Sequence, residues 1–365
     1  MIPALENIDW HGFLGRPQFQ SPAPAVLASL AREPILITGA GGSIGSALAL
    51  KLGASGAQLI LLESSENNLF DLESDFSSSG RTAEFYLGSA GDRSLLDEIF
   101  ADYRPRIVFH AAAFKHVPLL EEQPFAAIAN NIFGTQTLVA AASTYNARVI
   151  LLSTDKAVAP ASVMGATKRV GEQIVLTSGG TVLRLGNILG SCGSVAEVFA
   201  RQIAAGAPLT VTDPAARRYF LTIPEAVDLL VGAAGEANPS GLFIPDLRSS
   251  HYIADLARFM AHSLAPGRNI PIEFTRLRAG DKETEALSSA QETLHAADTN
   301  GLIRVDTPGL IANQLHDLLK ELSGSCELRE LTPALFIVRR LVPDYTPSRT
   351  VESMLSTPES RVHNA

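Results

Sequence analysis

The residues that most restrict what this chain can fold into are Thr38-Gly39-Ala40-Gly41-Gly42-Ser43-Ile44-Gly45, which follow the apolar run Pro34-Ile35-Leu36-Ile37-Thr38. A short apolar run ended by glycines reads as a buried strand, and the pattern from Ser43 to Leu52 reads as a helix. Glycines at 39, 42 and 45, between strand and helix, permit a tight turn and the close approach of a pyrophosphate. That charge is met by the free N–H groups and positive dipole end of the helix opened by Ser43 and Ile44. A purely structural glycine turn is the alternative, and the position directly after the opening strand argues against it. Glu63 ends the next strand, where a carboxylate can accept from both ribose hydroxyls of an adenosine and repels a 2′-phosphate. With no Arg or Lys between Ser64 and Asn68, NAD is the expected cofactor rather than NADP.

Further short apolar runs recur at Leu59 to Leu62, Ala83 to Leu87, Ile107 to His110, Val149 to Leu152 and Val182 to Leu185, with helical patterns at Ser94 to Tyr103 and Phe125 to Tyr145. Strand alternating with helix predicts an α/β fold, a doubly wound parallel sheet covered on both faces. We therefore expect a Rossmann-type dinucleotide domain over 34–190. It is preceded by a linker or extension over 1–33, whose periodicity is weak. From about residue 190 the alternation becomes irregular, with short strands at Leu209 to Thr212, Gly241 to Pro245 and Ile270 to Phe274 and helices starting near Pro224 and Ile253. This predicts a smaller substrate-binding cap with returning elements over 191–345. The polar end, 346–365, reads as a flexible tail.

A length of 365 residues with 46% apolar content is ample for such a core, and the net charge of −9 argues against a nucleic-acid surface. Cys192 and Cys326 form no framework and have no nearby ligand spacing, so neither structural zinc nor any other metal is expected. No basic segment leads into an apolar run and no stretch is long enough to cross a bilayer, so the expected setting is cytoplasmic, without a membrane span.

After the fifth strand come Leu152-Ser153-Thr154-Asp155-Lys156-Ala157-Val158-Ala159-Pro160 and then Ala161 to Lys168, reading ASVMGATK. Glycines three residues apart, with a lysine one helical turn after position 164, resemble the extended short-chain dehydrogenases, in which a Tyr-x-x-x-Lys pair places phenol and ammonium on one helix face. Here Met164 stands at the tyrosine position and Lys168 is kept. That substitution and the Thr-Asp-Lys run resemble the CapD-type polysaccharide-biosynthesis family, in particular its methionine-bearing UDP-N-acetylglucosamine 4,6-dehydratases. The likeness extends through HAAAFKHVPLLEEQP (His110 to Pro124), NNIFGT (Asn130 to Thr135), LRLGNILGSCGSV (Leu183 to Val195), RYFLTIPEAV (Arg218 to Val227), LRAGDK (Leu277 to Lys282) and LVPDYTPS (Leu341 to Ser348). Phe13-Leu14-Gly15-Arg16 resembles the segment that follows a membrane region in larger members.

The resemblance implies a reaction on a UDP-sugar. Oxidation at C4 acidifies C5, a base removes that proton, an acid helps the C6 hydroxyl leave as water, and the hydride returns to C6. It assigns Asp155 as the acid and Lys156 as the base. We expect the lysine to be partly neutral through burial or cationic neighbours, and the aspartate to hold its proton more tightly than usual. Met164 carries no proton, so Thr154 is the nearest hydroxyl for C4, while Lys168 is expected to hold the nicotinamide ribose. Ala111 and Ala112 are expected beneath the cofactor, with His110 structural. Lys115, His116, Asn131, Asn187, Arg218 and Arg278 are expected on the nucleotide-sugar side, where arginine forks suit a diphosphate. A homo-oligomer is expected, with the apolar 125–145 helix as a candidate interface.

This chain departs from the family pattern at Gly88-Ser89, Ala159, Ala279 and Asp281, none of which removes an acid or base. Two other readings stay open: a UDP-HexNAc 4-epimerase, which needs no acid at C6, and an inactive NAD-binding sensor or scaffold.

Overall fold

A computed structural model describes Leu5, residues 8–309 and residues 311–356. Nine strands form the central sheet: β1 (Ile35–Thr38), β2 (Leu59–Glu63), β3 (Glu84–Leu87), β4 (Ile107–His110), β5 (Arg148–Thr154), β6 (Thr181–Leu185), β7 (Gly241–Pro245), β8 (Thr293–Ala296) and β9 (Leu302–Asp306). They lie in the order β8-β9-β7-β6-β5-β4-β1-β2-β3. Every pairing from β3 to β7 is parallel, whereas β9 runs antiparallel to β7 and β8 antiparallel to β9. This is the expected doubly wound fold. The chain leaves β1 in one direction to β2 and in the other to β4, so a crevice opens at the carboxyl ends of these two strands.

Both sheet faces are covered, which is why β1, β2, β4 and β6 are buried along their whole length. One apolar layer packs Phe100, Leu138, Val170 and Leu322 against the sheet, and the other packs Leu48, Phe76 and Leu230. A third cluster of Trp10, Phe199, Phe220 and Met260 forms the cap beyond β6.

The ends of the chain are more structured than their composition suggests. The expected linker over 1–33 contains the helices Trp10–Leu14 and Pro24–Leu30. Trp10 and Leu14 are buried in the cap cluster, and Arg16 Nη1 pairs with Glu225 Oε1 at 2.6 Å. Glu225 also closes a capping box with Thr222, so the amino-terminal segment is tied to the start of helix Ile223–Ala234. The expected tail contains helix Arg349–Ser356, with Val351 fully buried in the first core layer; residues 357–365 lie outside the described residues. The stretch expected as one helix from 125 to 145 is helical from Pro124 to Thr144, with a π-helical segment at Ile128–Phe133. Its apolar residues Ile132, Leu138 and Ala142 pack into the core, while Ala140, Ser143 and Thr144 are exposed on its outer side.

Candidate active site

A cavity of about 580 Å³ opens at the carboxyl ends of β1, β4, β5 and β6. Its floor is the glycine loop: Gly39, Gly42, Ser43, Ile44 and Gly45 all line it. Gly39 has φ +67°, and a Cβ there would lie 2.6 Å from the Ala112 backbone nitrogen, so only glycine allows the loop to rest on the segment after β4. A Cβ on Gly45 would collide with the Gly39 carbonyl. Helix Ser43–Ala54 starts at Gly42 with no side-chain cap, leaving its first N–H groups free for an anion. Ala111 lines the cavity, and Ala112 lies behind the glycine loop rather than on the wall. Glu63 is also off the wall: its carboxylate accepts from Gly41 N at 3.0 Å and from Ser64 N and Ser65 N at 2.9 Å, so it fixes the end of β2 to the glycine loop.

On the opposite wall, β5 ends at Thr154 and the chain turns through a short 3-10 helix, Asp155–Ala157. Thr154 Oγ1 donates to Asp155 Oδ1 at 3.0 Å, and Lys156 Nζ donates to the same oxygen at 3.0 Å and to Asn187 Oδ1 at 3.1 Å. Thr154, Lys156 and Asn187 line the cavity. Asp155 is fully buried behind them, and its Oδ2 has no hydrogen-bond partner among the described residues. Lys156 Nζ lies 3.0 Å from the Asp155 carboxylate and 3.8 Å from that of Glu285, which it shares with Lys282.

Met164 and Lys168 lie one turn apart on helix Val163–Thr177 and both line the cavity. Lys168 Nζ donates to the Leu152 carbonyl at 2.7 Å, and burial brings its pKa down to about 8 against the opposing pull of Glu172. His110, bridging Thr38 and Thr135, is driven to about 3 by burial and by the Lys168 charge. It is structural, as expected.

Two residues expected at the sugar have other work. Asn131 is buried away from the wall, where its amide accepts from Phe114 N at 2.9 Å and donates to Phe114 O at 3.1 Å and Thr167 Oγ1 at 3.1 Å. It braces the segment after β4 against the helix of Met164. Arg218 donates to the backbone carbonyls of Arg217, Lys282 and Glu283 at 2.7 to 2.9 Å, so its fork holds a loop rather than facing the cavity. Arg278 is exposed, paired with Asp281 at 2.8 Å, and near enough that its charge helps to depress His116. Lys115 and His116 do line the cavity, and burial lowers the pKa of both. Lys115 Nζ donates to the Cys192 carbonyl at 2.7 Å, while the Cys192 N–H donates to Ser43 Oγ at 3.0 Å. One residue of the 190–194 loop, Cys192, thus spans the mouth between the glycine loop and Lys115 through its two flanking peptides.

Two sets of groups were not anticipated. Glu285, buried, pairs with Lys282 at 2.6 Å and lies 3.8 Å from Lys156. Behind β5, Arg184 and Glu172, both fully buried, form a two-pronged pair at 2.8 and 2.9 Å, extended by Glu292, Arg169 and the Ser153 hydroxyl. Sequence offers one signal for these, charged residues inside otherwise apolar strand and helix runs, since such residues are buried only when paired. Among the described residues no cluster of His, Cys, Asp and Glu could hold a metal, and no helix is long and apolar enough to cross a membrane.

A family described as "Polysaccharide biosynthesis protein" matches residues 35–307, which contain the glycine loop, the Thr154 to Lys168 stretch and the 282–285 loop. The chain belongs to this family. Its relatives include the probable polysaccharide biosynthesis protein EpsC of Bacillus subtilis, 38% identical over 80% of this chain and 51% of EpsC. Another is the capsular polysaccharide biosynthesis protein CapD of Staphylococcus aureus, 36% identical over 79% of this chain and 50% of CapD. The chain therefore spans about half the length of these curated relatives. Among solved structures, Pen from Bacillus thuringiensis is 26% identical with a TM-score of 0.68, covering 79% of this chain and 97% of Pen. The same fold occurs in the dTDP-glucose 4,6-dehydratase DesIV of Streptomyces venezuelae, solved with NAD bound, at 19% identity and a TM-score of 0.61, covering 70% of this chain and 88% of DesIV.

Proposed function

We propose that this chain is an NAD-dependent nucleotide-sugar 4,6-dehydratase that converts UDP-GlcNAc to a UDP-4-keto-6-deoxy-HexNAc for glycan assembly. The observation that carries the reading is Asp155 Oδ1, which accepts from both Thr154 and Lys156 at the mouth of β5 while Met164 occupies the phenol position. Bound NAD would supply hydride transfer between C4 and C6. The uncapped helix start at Ser43 would hold its diphosphate and Lys168 its nicotinamide ribose, while the Glu63 carboxylate would disfavour a 2′-phosphate.

The chain's own groups then account for the protons. Met164 can take none from O4, so Thr154 Oγ1 accepts that proton while passing its own to Asp155 Oδ1 along the 3.0 Å hydrogen bond. Asp155 thereby becomes the carboxylic acid whose proton reaches O6 back through Thr154 Oγ1, which lines the cavity. Lys156, acting as an amine base, takes the C5 proton and, after water has left, returns to C5 a proton exchanged with solvent. The proton count balances and each group regains its starting state. Asn187 orients Lys156, and Lys115 and His116 meet the sugar or diphosphate.

Incubation with UDP-GlcNAc and NAD in heavy water, read by mass spectrometry, tests this. Loss of one water with deuterium at C5 is the expected result. A 4-epimerase is the second reading, motivated by a UDP-glucose 4-epimerase of Rickettsia rickettsii that is 33% identical over 76% of this chain and 84% of that protein. An unchanged mass with UDP-GalNAc appearing would replace our reading with that one.

A further inference from the structure

The mechanism above uses Lys156 as a base, yet one carboxylate beside it has no role there. Glu285 is 3% exposed, its Oε1 is 3.8 Å from Lys156 Nζ and its Oε2 is 2.6 Å from Lys282 Nζ. Neither Glu285 nor Lys282 lines the cavity. The loop that carries them is anchored on three sides. Arg218 donates from both terminal nitrogens to the carbonyls of Lys282 and Glu283, Arg217 N donates to Glu283 O at 2.9 Å, and Lys282 Nζ reaches Val158 O at 2.9 Å, just after the Asp155–Ala157 turn. Burying a carboxylate costs several kcal/mol unless it is paired, so a loop locked this way around a buried acid has a fixed place for its charge.

We propose that Glu285 is a positioning residue for Lys156, the counter-charge that holds its ammonium form during the interval in which Asp155 is a neutral acid. The inference rests on the dehydratase reading. Once Lys156 has taken the C5 proton and before Asp155 has given its own to O6, Asp155 offers no negative charge, and Glu285 Oε1 is the carboxylate left within 4 Å. Lys282 shares the other Glu285 oxygen and so tempers this hold. At 3.8 Å the contact is a charge attraction rather than a direct hydrogen bond, which leaves Nζ free to turn toward the substrate. Arg218, by fixing the loop, acts on the same lysine from a distance.

The test is trace acetylation of the full-length protein by acetic anhydride at one fixed pH, with the extent at Lys156 read by peptide mass spectrometry. Only the free amine reacts. Glu285→Gln removes the anion and keeps the shape, and is expected to raise labelling of Lys156 about tenfold. Lys282→Gln removes the cation that competes for Glu285, and is expected to lower it severalfold. Loosening of the loop would raise labelling in both variants, so opposite signs separate a charge role from a structural one. Glu285→Asp, which restores the charge, is expected to move labelling back toward wild type. In turnover of UDP-GlcNAc, Glu285→Gln is expected to lower kcat about tenfold with KM little changed. Wild-type labelling in Glu285→Gln, or a rise in both variants, overturns the proposal. The labelling needs no substrate, so wild-type protein that fails to dehydrate UDP-GlcNAc would sink the functional reading without deciding this one.

Discussion

Glu172→Gln removes one charge from the buried network behind the active site, and its cost can be worked out in two ways. Burial pushes the Glu172 carboxyl up, but the charges and hydrogen bonds of Arg184, with help from Arg169 and Ser153, overcome it and hold the pKa at about 2, against an ordinary 4.5. That difference corresponds to about 3 kcal/mol of stability at neutral pH. Independently, taking one partner from a buried ion pair typically costs about 3 to 5 kcal/mol, because the remaining charge has no counter-ion. For 365 residues these figures imply a fall in Tm of roughly 4 to 7 °C, measurable by calorimetry. The sign with pH follows from the lowered value. Glu172 stabilises fully above its unfolded value near 4.5, and that contribution is lost as pH falls toward 2. The gap between wild type and variant is therefore expected to be full at neutral pH and to close below pH 4.5. A variant that melts within about 2 °C of wild type at neutral pH would refute the argument, as would a gap that does not shrink in acid.

Lys168→Met should strengthen the cofactor-free protein. Its pKa of about 8 against an ordinary 10.5 implies a burial cost of about 3 kcal/mol at neutral pH, partly offset by the bond to Leu152 O, so a net gain of about 1 to 2 kcal/mol is expected in urea unfolding. The wild-type penalty fades as pH rises from about 8 to 10.5, so the difference should narrow there; a weaker variant at neutral pH would contradict this. Lys156→Ala is expected to abolish water loss from UDP-GlcNAc while leaving NAD binding intact by calorimetric titration, and normal turnover would remove Lys156 from the mechanism. Ala159 stands where the resemblance calls for asparagine, and it adopts φ +39°. Asparagine tolerates that left-handed conformation better than alanine, so Ala159→Asn is expected to stabilise by about 0.5 to 1 kcal/mol, and a loss of stability would show that this strain is not relieved by asparagine.

What could be read from the sequence was local. The glycine loop, β1 to β7, and the placing of Thr154, Lys156, Met164 and Lys168 around one cavity all follow from contiguous runs or from helical spacing. The strands β8 and β9 were not anticipated: every residue of Thr293–Ala296 is exposed, and Leu302–Asp306 has charges among its apolar residues, so neither shows a buried run. The roles of Asn131 and Arg218 were also out of reach. An amide or a guanidinium satisfies whichever backbone carbonyl the fold brings to it, and for Arg218 two of the three lie more than sixty residues away in the chain. Motif spacing can mark such a residue as special without saying whether it touches a ligand. The amino-terminal segment was misjudged for a related reason, since Trp10 and Leu14 are buried by a cap that the local sequence does not describe.

The bridge made by Cys192 has a thermodynamic consequence. Its N–H donates to the first residue of the helix that follows the glycine loop, and its carbonyl accepts from a lysine on the opposite rim. A ligand that draws Ser43 or Lys115 toward itself alters the loop that the other grips, so occupancy on one side changes affinity on the other, and by the same factor in both directions. Two ligands, one on each rim, would in this sense be coupled through the backbone of a single residue.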